Sequence, residues 1–103
     1  MEEVGMEEVV DRPDKGRFEV AVDGHVGELV YDVDGGQLIL IHTGVPEELG
    51  GRGIGGRLVR AAIARAARDG LILVPLCPFA RRWIDEHPEA IGDVGVDWRI
   101  DRG

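Results

Sequence analysis

The sequence predicts an α+β domain in which a mixed sheet carries two helices, and three observations lead there. Residues 17–42 hold three apolar-rich runs separated by Asp-Gly and Asp-Gly-Gly, the turn chemistry of an antiparallel meander. Residues 54–69 change to a period near 3.6, with Leu58, Val59, Ala62, Ile63 and Ala66 on one stripe. A short apolar run at 71–74 follows that helix, which makes the sheet mixed rather than purely antiparallel.

Taken in order, residues 1–14 show no clean period and are expected to form a frayed, flexible tail. Residues 17–22 alternate polar and apolar and predict a half-buried strand, closed by Asp23-Gly24. A second strand runs from 26 to 33 and turns at Asp34-Gly35-Gly36. Residues 37–42 are apolar on both faces, which predicts a central strand, and residues 43–51 read as a loop whose start is set by Pro46. After the helix, Gly70 sits where a C-cap needs positive φ, and Pro75 ends the strand at 71–74. Pro78 opens a second helix over about 78–87, closed by His87-Pro88. The extension at 91–103 alternates Val94, Val96, Trp98 and Ile100 and is expected to add a strand or dock as an extended tail.

Composition bounds the function. A chain of 103 residues, 44% hydrophobic and 31% charged, is one globular domain spanning 1–103 rather than a disordered segment. No apolar run approaches the ~20 residues that cross a bilayer, and the acidic start lacks the features of a signal peptide. The lone Cys77 has no partner for an intramolecular disulfide, so a reducing cytoplasm is the expected compartment. A formal charge of −8 argues against general nucleic-acid binding. That charge is uneven. Residues 1–51 carry a net −10 and residues 83–103 a net −4, whereas residues 52–82 carry seven arginines against Asp69 alone. A solvated helix face explains most such runs; a seat for a compact anion is the functional reading.

The basic block begins at Gly50-Gly51-Arg52-Gly53-Ile54-Gly55-Gly56, directly before the predicted helix. Glycines let backbone amides crowd towards a ligand, and amides at a helix N-terminus attract phosphate. A Walker A loop fails, because Arg57-Leu58 stand where Lys-Ser/Thr is required. Gly51, Gly53 and Gly56 match a dinucleotide fingerprint in spacing, but Gly51 lies nine residues beyond His42 rather than directly after a strand. The acidic residue expected after the next strand is also missing, since that strand leads into Cys77-Pro78. Two readings remain at this point: a loop for the diphosphate of an acyl-coenzyme A, and a glycine-rich turn without a ligand.

The order of strand, Val45-Pro46, glycine loop, amphipathic helix and short strand resembles the coenzyme-A-binding motif of the GNAT superfamily of N-acetyltransferases. The family pattern Gln/Arg-x-x-Gly-x-Gly/Ala is met by Gly53 and Gly55, while Gly50 stands at its Gln/Arg position and Arg52 is the local cation instead. The segments Ile41-His42-Thr43-x-Val45-Pro46, Gly51-x-Gly53-Ile54-Gly55 and Pro75-x-Cys77-Pro78-Phe79, with His87-Pro88, are similar to a minimal single-domain branch, the YjdJ-like proteins. The resemblance covers roughly residues 17–90. It implies a GNAT-like fold, acetyl-CoA as acyl donor, an amine acceptor (a small molecule or a protein lysine) and no metal. It further implies that the amides of Arg52, Gly53, Ile54, Gly55 and Gly56, with Arg57 beside them, hold the diphosphate. Backbone groups of Ile41, Thr43 and Val45 would then pair with the pantetheine arm where two strands splay apart. That branch often carries glutamate after Thr43, and this chain has Gly44.

Acyl transfer needs a base for the amine, stabilisation of an oxyanion, and a proton for the leaving thiolate. His42, at the end of the central strand, is the obvious titrating group; its bland reading is a structural core histidine. Cys77 precedes Pro78 at a helix N-terminus, whose dipole favours negative charge. It is a candidate nucleophile or acid, against the common fate of a lone cysteine as a small buried hydrophobe. The region from Phe79 to Trp83 lacks the leaving-group tyrosine of many GNAT enzymes, and Tyr31 is expected to pack. Trp83, at helical spacing from Phe79, is expected in the core, and His87 at the helix end. The leading expectation is an N-acetyltransferase; the alternative is a non-catalytic CoA or acyl-CoA-binding module.

Overall fold

The computed structural model describes residues 8–99. One five-stranded sheet, in the order β1-β2-β3-β4-β5, is formed by β1 (Val10–Arg12), β2 (Arg17–Val22), β3 (His25–Asp34), β4 (Gln37–Gly44) and β5 (Ile72–Pro75). The first four strands are antiparallel neighbours and β5 joins β4 in parallel, so the sheet is mixed, as the helix between them requires. Helix α1 (Ile54–Asp69) supplies that crossover, and α2 (Pro78–Glu86) follows β5. Phe18, Val20, Leu29, Leu38 and Leu40 project from one sheet face into a single core with Leu58, Val59 and Ala62 of α1 and Ala80 and Ile84 of α2. Both helices therefore cover the same face.

The bounds of α1 come from local chemistry. Gly53 and Gly70 flank it with φ of 72° and 68°, a left-handed conformation that costs glycine least. Within β3, Gly27 leaves room for the helix: a Cβ there would lie 2.9 Å from Ile54 Cγ2.

Two parts depart from the sequence expectation, and a third takes one of the two forms it left open. Val10–Arg12, expected in the flexible tail, is a strand instead. Its Asp11 accepts hydrogen bonds from the Tyr31 hydroxyl and, at 3.0 Å, from Arg65 Nη1, so a contact with α1 across 54 residues secures it. Residues 1–7 of that tail lie outside the described residues. The central strand does not stop at His42 but runs to Gly44. It does so by a bulge: Tyr31 faces Leu40 and Val30 faces His42, leaving Ile41 as the extra residue. The alternating C-terminal segment docks as an extended tail. Leu73 N–H donates to Gly95 O at 2.9 Å, Asp97 N–H donates to Leu73 O at 2.8 Å, and Val96 forms a parallel bridge to Leu73. Backbone groups two residues apart point to the same side of a strand, so the missing amide of Pro75 faces this edge beyond the docked tail and breaks no ladder bond. Ile100 lies outside the described residues.

Candidate functional site

The bulge decides what β4 offers to each face. Without it, Leu38, Leu40 and His42 would share a side. With Ile41 inserted, Thr43 becomes the cross-strand neighbour of core residue Leu29, and His42 pairs with Val30 on the face away from the helices. His42 is exposed, and so is Ile41. His42 and Cys77, both expected at the reacting centre, lie on opposite sides of β4. Thr43 meets the cysteine instead, its Oγ1 lying 3.0 Å from Cys77 Sγ in a shared hydrogen bond. Cys77 is 2% exposed and belongs to the core cluster.

At the same point β4 and β5 part. Leu40 O accepts from both Leu76 N–H and Cys77 N–H at 2.9 Å, and the β4–β5 pairing ends there. Beyond it, residues 41–44 pair only with β3. A gap between two strands, with one strand's edge unpaired, is where an extended ligand can borrow backbone hydrogen bonds.

A cavity of about 550 Å³ opens beside this gap, between the glycine loop, α1 and α2. Thr43 and Val45 line it from β4 and the following loop; Gly53, Ile54, Gly55, Gly56 and Arg57 line it from the start of α1. The helix N-terminus has no side-chain cap and no acidic residue in its first turn. Arg57 N–H bonds to Gly53 O at 3.1 Å, whereas the amides at the three positions before it have no intrahelical partner. Among the described residues the cavity wall carries two arginines, Arg57 and Arg60, one histidine, His87, and no carboxylate, inside a protein of formal charge −8. Among the described residues neither arginine forms an ion pair. Arg52, the cation singled out in the loop, does not line the cavity. Its guanidinium reaches back to Asp23 at 2.9 Å.

A scan against protein-family models matches residues 17–94 to the family described as GCN5-related N-acetyl-transferase. The chain belongs to the GCN5-related N-acetyltransferase family. Among the curated proteins none matches it in sequence. Its fold is similar to that of a GCN5-like protein from Staphylococcus aureus, solved by NMR in solution and itself assigned as an N-acetyltransferase only provisionally. The two share 24% identity over 97% of this chain and all of the other, with a TM-score of 0.68. That likeness confirms the α+β architecture, and family membership makes acetyl transfer its general chemistry.

In this GCN5-related chain, three features of the site were not legible in the sequence. Gly55 and Gly56 were singled out for backbone approach to a ligand, yet both also lie beneath aromatic rings. A Cβ at 55 would come within 2.6 Å of Phe79 Cζ, and one at 56 within 2.7 Å of Trp83 Nε1. Trp83, expected in the core, is only partly buried and lines the cavity with Phe79 and His87, the i, i+4, i+8 face of α2 and its cap. Their four-residue spacing was legible; which helix face would meet the cavity was not. The third is Glu28. A side chain at Gly44 would start 3.6 Å from Glu28 Cγ and 3.5 Å from His42 Nε2, so a carboxylate and an imidazole flank this glycine on the open face.

A larger cavity, about 700 Å³, lies between the second half of α1 and residues 90–95. Its wall includes Ile63, Ala67, Leu71 and Ile91, and of the cavity's cations only Arg60 touches both spaces. It is remote from the strand gap and the glycine loop, so size alone does not make it the reaction site. Among the described residues no group of three or more His, Cys, Asp or Glu side chains is placed to hold a metal, and no helix is long and apolar enough to cross a membrane.

Proposed function

We propose that this protein is an acetyl-CoA-dependent N-acetyltransferase of the minimal, YjdJ-like kind, acting in the cytoplasm on an amine. One observation carries the donor side: a cavity that, among the described residues, holds no carboxylate and two arginines without ion pairs meets an uncapped helix N-terminus beside an opened strand edge. Anions are favoured there by charge, by free amides and by the helix dipole. In this reading the amides of Gly53, Ile54, Gly55 and Gly56 hold the diphosphate, with Arg57 as counter-charge. The exposed edge formed by Ile41, Thr43 and Val45 holds the pantetheine arm. The Arg52 backbone belongs to the same loop, while its side chain is committed to Asp23.

When bound, the donor supplies an activated acetyl thioester. The chain's own groups then divide the proton work across β4. On the open face, His42 takes the proton of an ammonium acceptor, with Glu28 beside it to attract the cation. As the new C–N bond forms and the C–S bond breaks, Cys77 on the helix face would protonate the departing sulfur, its Sγ oriented by Thr43, and would regain a proton from the nitrogen as that becomes the amide. Attack by Cys77 itself, through an acyl-cysteine, is the other route these residues permit. A specific observation supports the second reading, a CoA-binding module without turnover: Cys77 is 2% exposed and does not line the cavity.

Calorimetry with acetyl-CoA, followed by thiol release with a panel of primary amines, tests the proposal. Binding is expected, and Gly53→Val should abolish it in a folded protein. Turnover should fall at least tenfold in both His42→Ala and Cys77→Ala. Full turnover in both variants overturns the residue assignment, and binding without turnover on any amine favours the module. No binding at millimolar acetyl-CoA refutes the donor site.

A further inference from the structure

We propose that Trp83, with His87 stacked on it and Arg60 held over its ring, is the shelf on which the adenine of the donor nucleotide rests. The inference rests on the acyl-CoA reading above and adds to it a nucleotide-specific subsite on α2, outside the glycine loop.

Four observations carry it. Trp83, His87 and Arg60 line the same cavity as the free amides of α1. The indole is pre-positioned: its Nε1 edge lies against the helix backbone at Gly56, so closely that a Cβ there would come within 2.7 Å. His87 lies parallel to it, with ring centroids 4.0 Å apart at 12°, and its Nδ1 donates to Trp83 O at 2.8 Å. That bond fixes both the ring plane and the tautomer. Arg60 Cζ sits 4.9 Å from the indole centroid, and among the described residues it has no carboxylate partner. A stacked pair covered by a guanidinium that has no carboxylate partner among the described residues suits a purine attached to phosphate: Arg60 leaves the indole to meet the phosphate charge, and the base takes its place on the ring.

The direction along α2 agrees. Cys77 marks the reacting end, and Phe79, Trp83 and His87 succeed it at one-turn intervals, leading away at 1.5 Å per residue. Trp83 thus lies about 9 Å further along the axis than Cys77. A donor with its thioester by Cys77 and its diphosphate on Gly53–Gly56 directs its nucleotide along this helix face.

The test is calorimetry of the full chain with coenzyme A and with 4′-phosphopantetheine, which lacks the adenosine together with its 5′- and 3′-phosphates, so the variants rather than the wild-type preference alone report the base. Wild type should bind coenzyme A at least tenfold more tightly. Trp83→Leu should lose roughly 5- to 150-fold in coenzyme A affinity, the range of one base stacked on one aromatic ring, with phosphopantetheine affinity changed less than threefold. Arg60→Gln, which removes the guanidinium over the indole, should weaken coenzyme A binding and flatten its salt dependence; this keeps the proposal open to test if Trp83→Leu fails to fold. Wild type that binds both ligands equally, or variants that weaken both alike, overturns the shelf while leaving the acyl-CoA reading standing. Failure of wild type to bind coenzyme A overturns both.

Discussion

Two glycine-to-alanine substitutions three residues apart should act by opposite physics. Gly53 has φ of 72°, and nothing lies within 4 Å of a Cβ built on it. Alanine there meets no clash but is held in a left-handed conformation, at a cost of about 1–2 kcal/mol. For a domain of this size that lowers Tm by roughly 4–8 °C per kcal/mol. Gly56 lies inside α1, where alanine is preferred by about 0.8–1.0 kcal/mol, but its Cβ would come within 2.7 Å of Trp83 Nε1. Overpacking of that kind costs about 1–3 kcal/mol, so the net effect is between neutral and about 2 kcal/mol destabilising, and Trp83 must move. Thermal and urea unfolding give the stabilities, and Trp83 fluorescence in a Trp98→Phe background reports the ring. Gly53→Ala should leave the emission spectrum unchanged; Gly56→Ala should shift it. A Gly56→Ala protein that gains stability by helix propensity alone, with unchanged emission, refutes the close packing of α1 against α2.

Tyr31 is pushed up to about 12 from 10.0, first by burial and then by its bond to Asp11. Between those values the folded state keeps a proton that the unfolded state has lost, so stability is intact below pH 10 and falls as pH rises towards 12. The loss is on the order of 2–3 kcal/mol, and urea titrations from pH 9 to 12 should show it in wild type and not in Tyr31→Phe. Arg65 bonds Asp11, Asp69 and the Tyr31 hydroxyl, the last at 2.8 Å, so Arg65→Met should cost about 1–3 kcal/mol. Amide exchange should then accelerate first at Val10–Arg12, and unaltered protection there would show that the network does not secure β1. Cys77 should react with a thiol reagent on the order of 100-fold more slowly than in urea; an equally fast native reaction contradicts its burial.

Much of this protein was legible one residue at a time. Asp23-Gly24 and Asp34-Gly35-Gly36 turn the chain where local backbone preference says they should, and Gly53 and Gly70 bracket α1 to the residue, because positive φ is a property of single positions. The five-residue stripe from Leu58 to Ala66 buries as its period requires. The cavity's loop residues were legible for the same reason, since uncapped amides follow from a helix that begins at glycine. Features created by partners distant in sequence were not. The bulge at Ile41 arises from register against β3, and one inserted residue exchanged the faces of His42 and Thr43, so Thr43 and not His42 meets Cys77. Val10–Arg12 is a strand because Asp11 finds Arg65 and Tyr31. Arg52 and Arg60 look alike in the basic block, yet Asp23 takes one while the packing of α1 against α2 turns the other to the cavity. Periodicity and turn chemistry are local and survive in a string of letters; the facing of a side chain depends on what packs against it, and that exists only once the chain has folded.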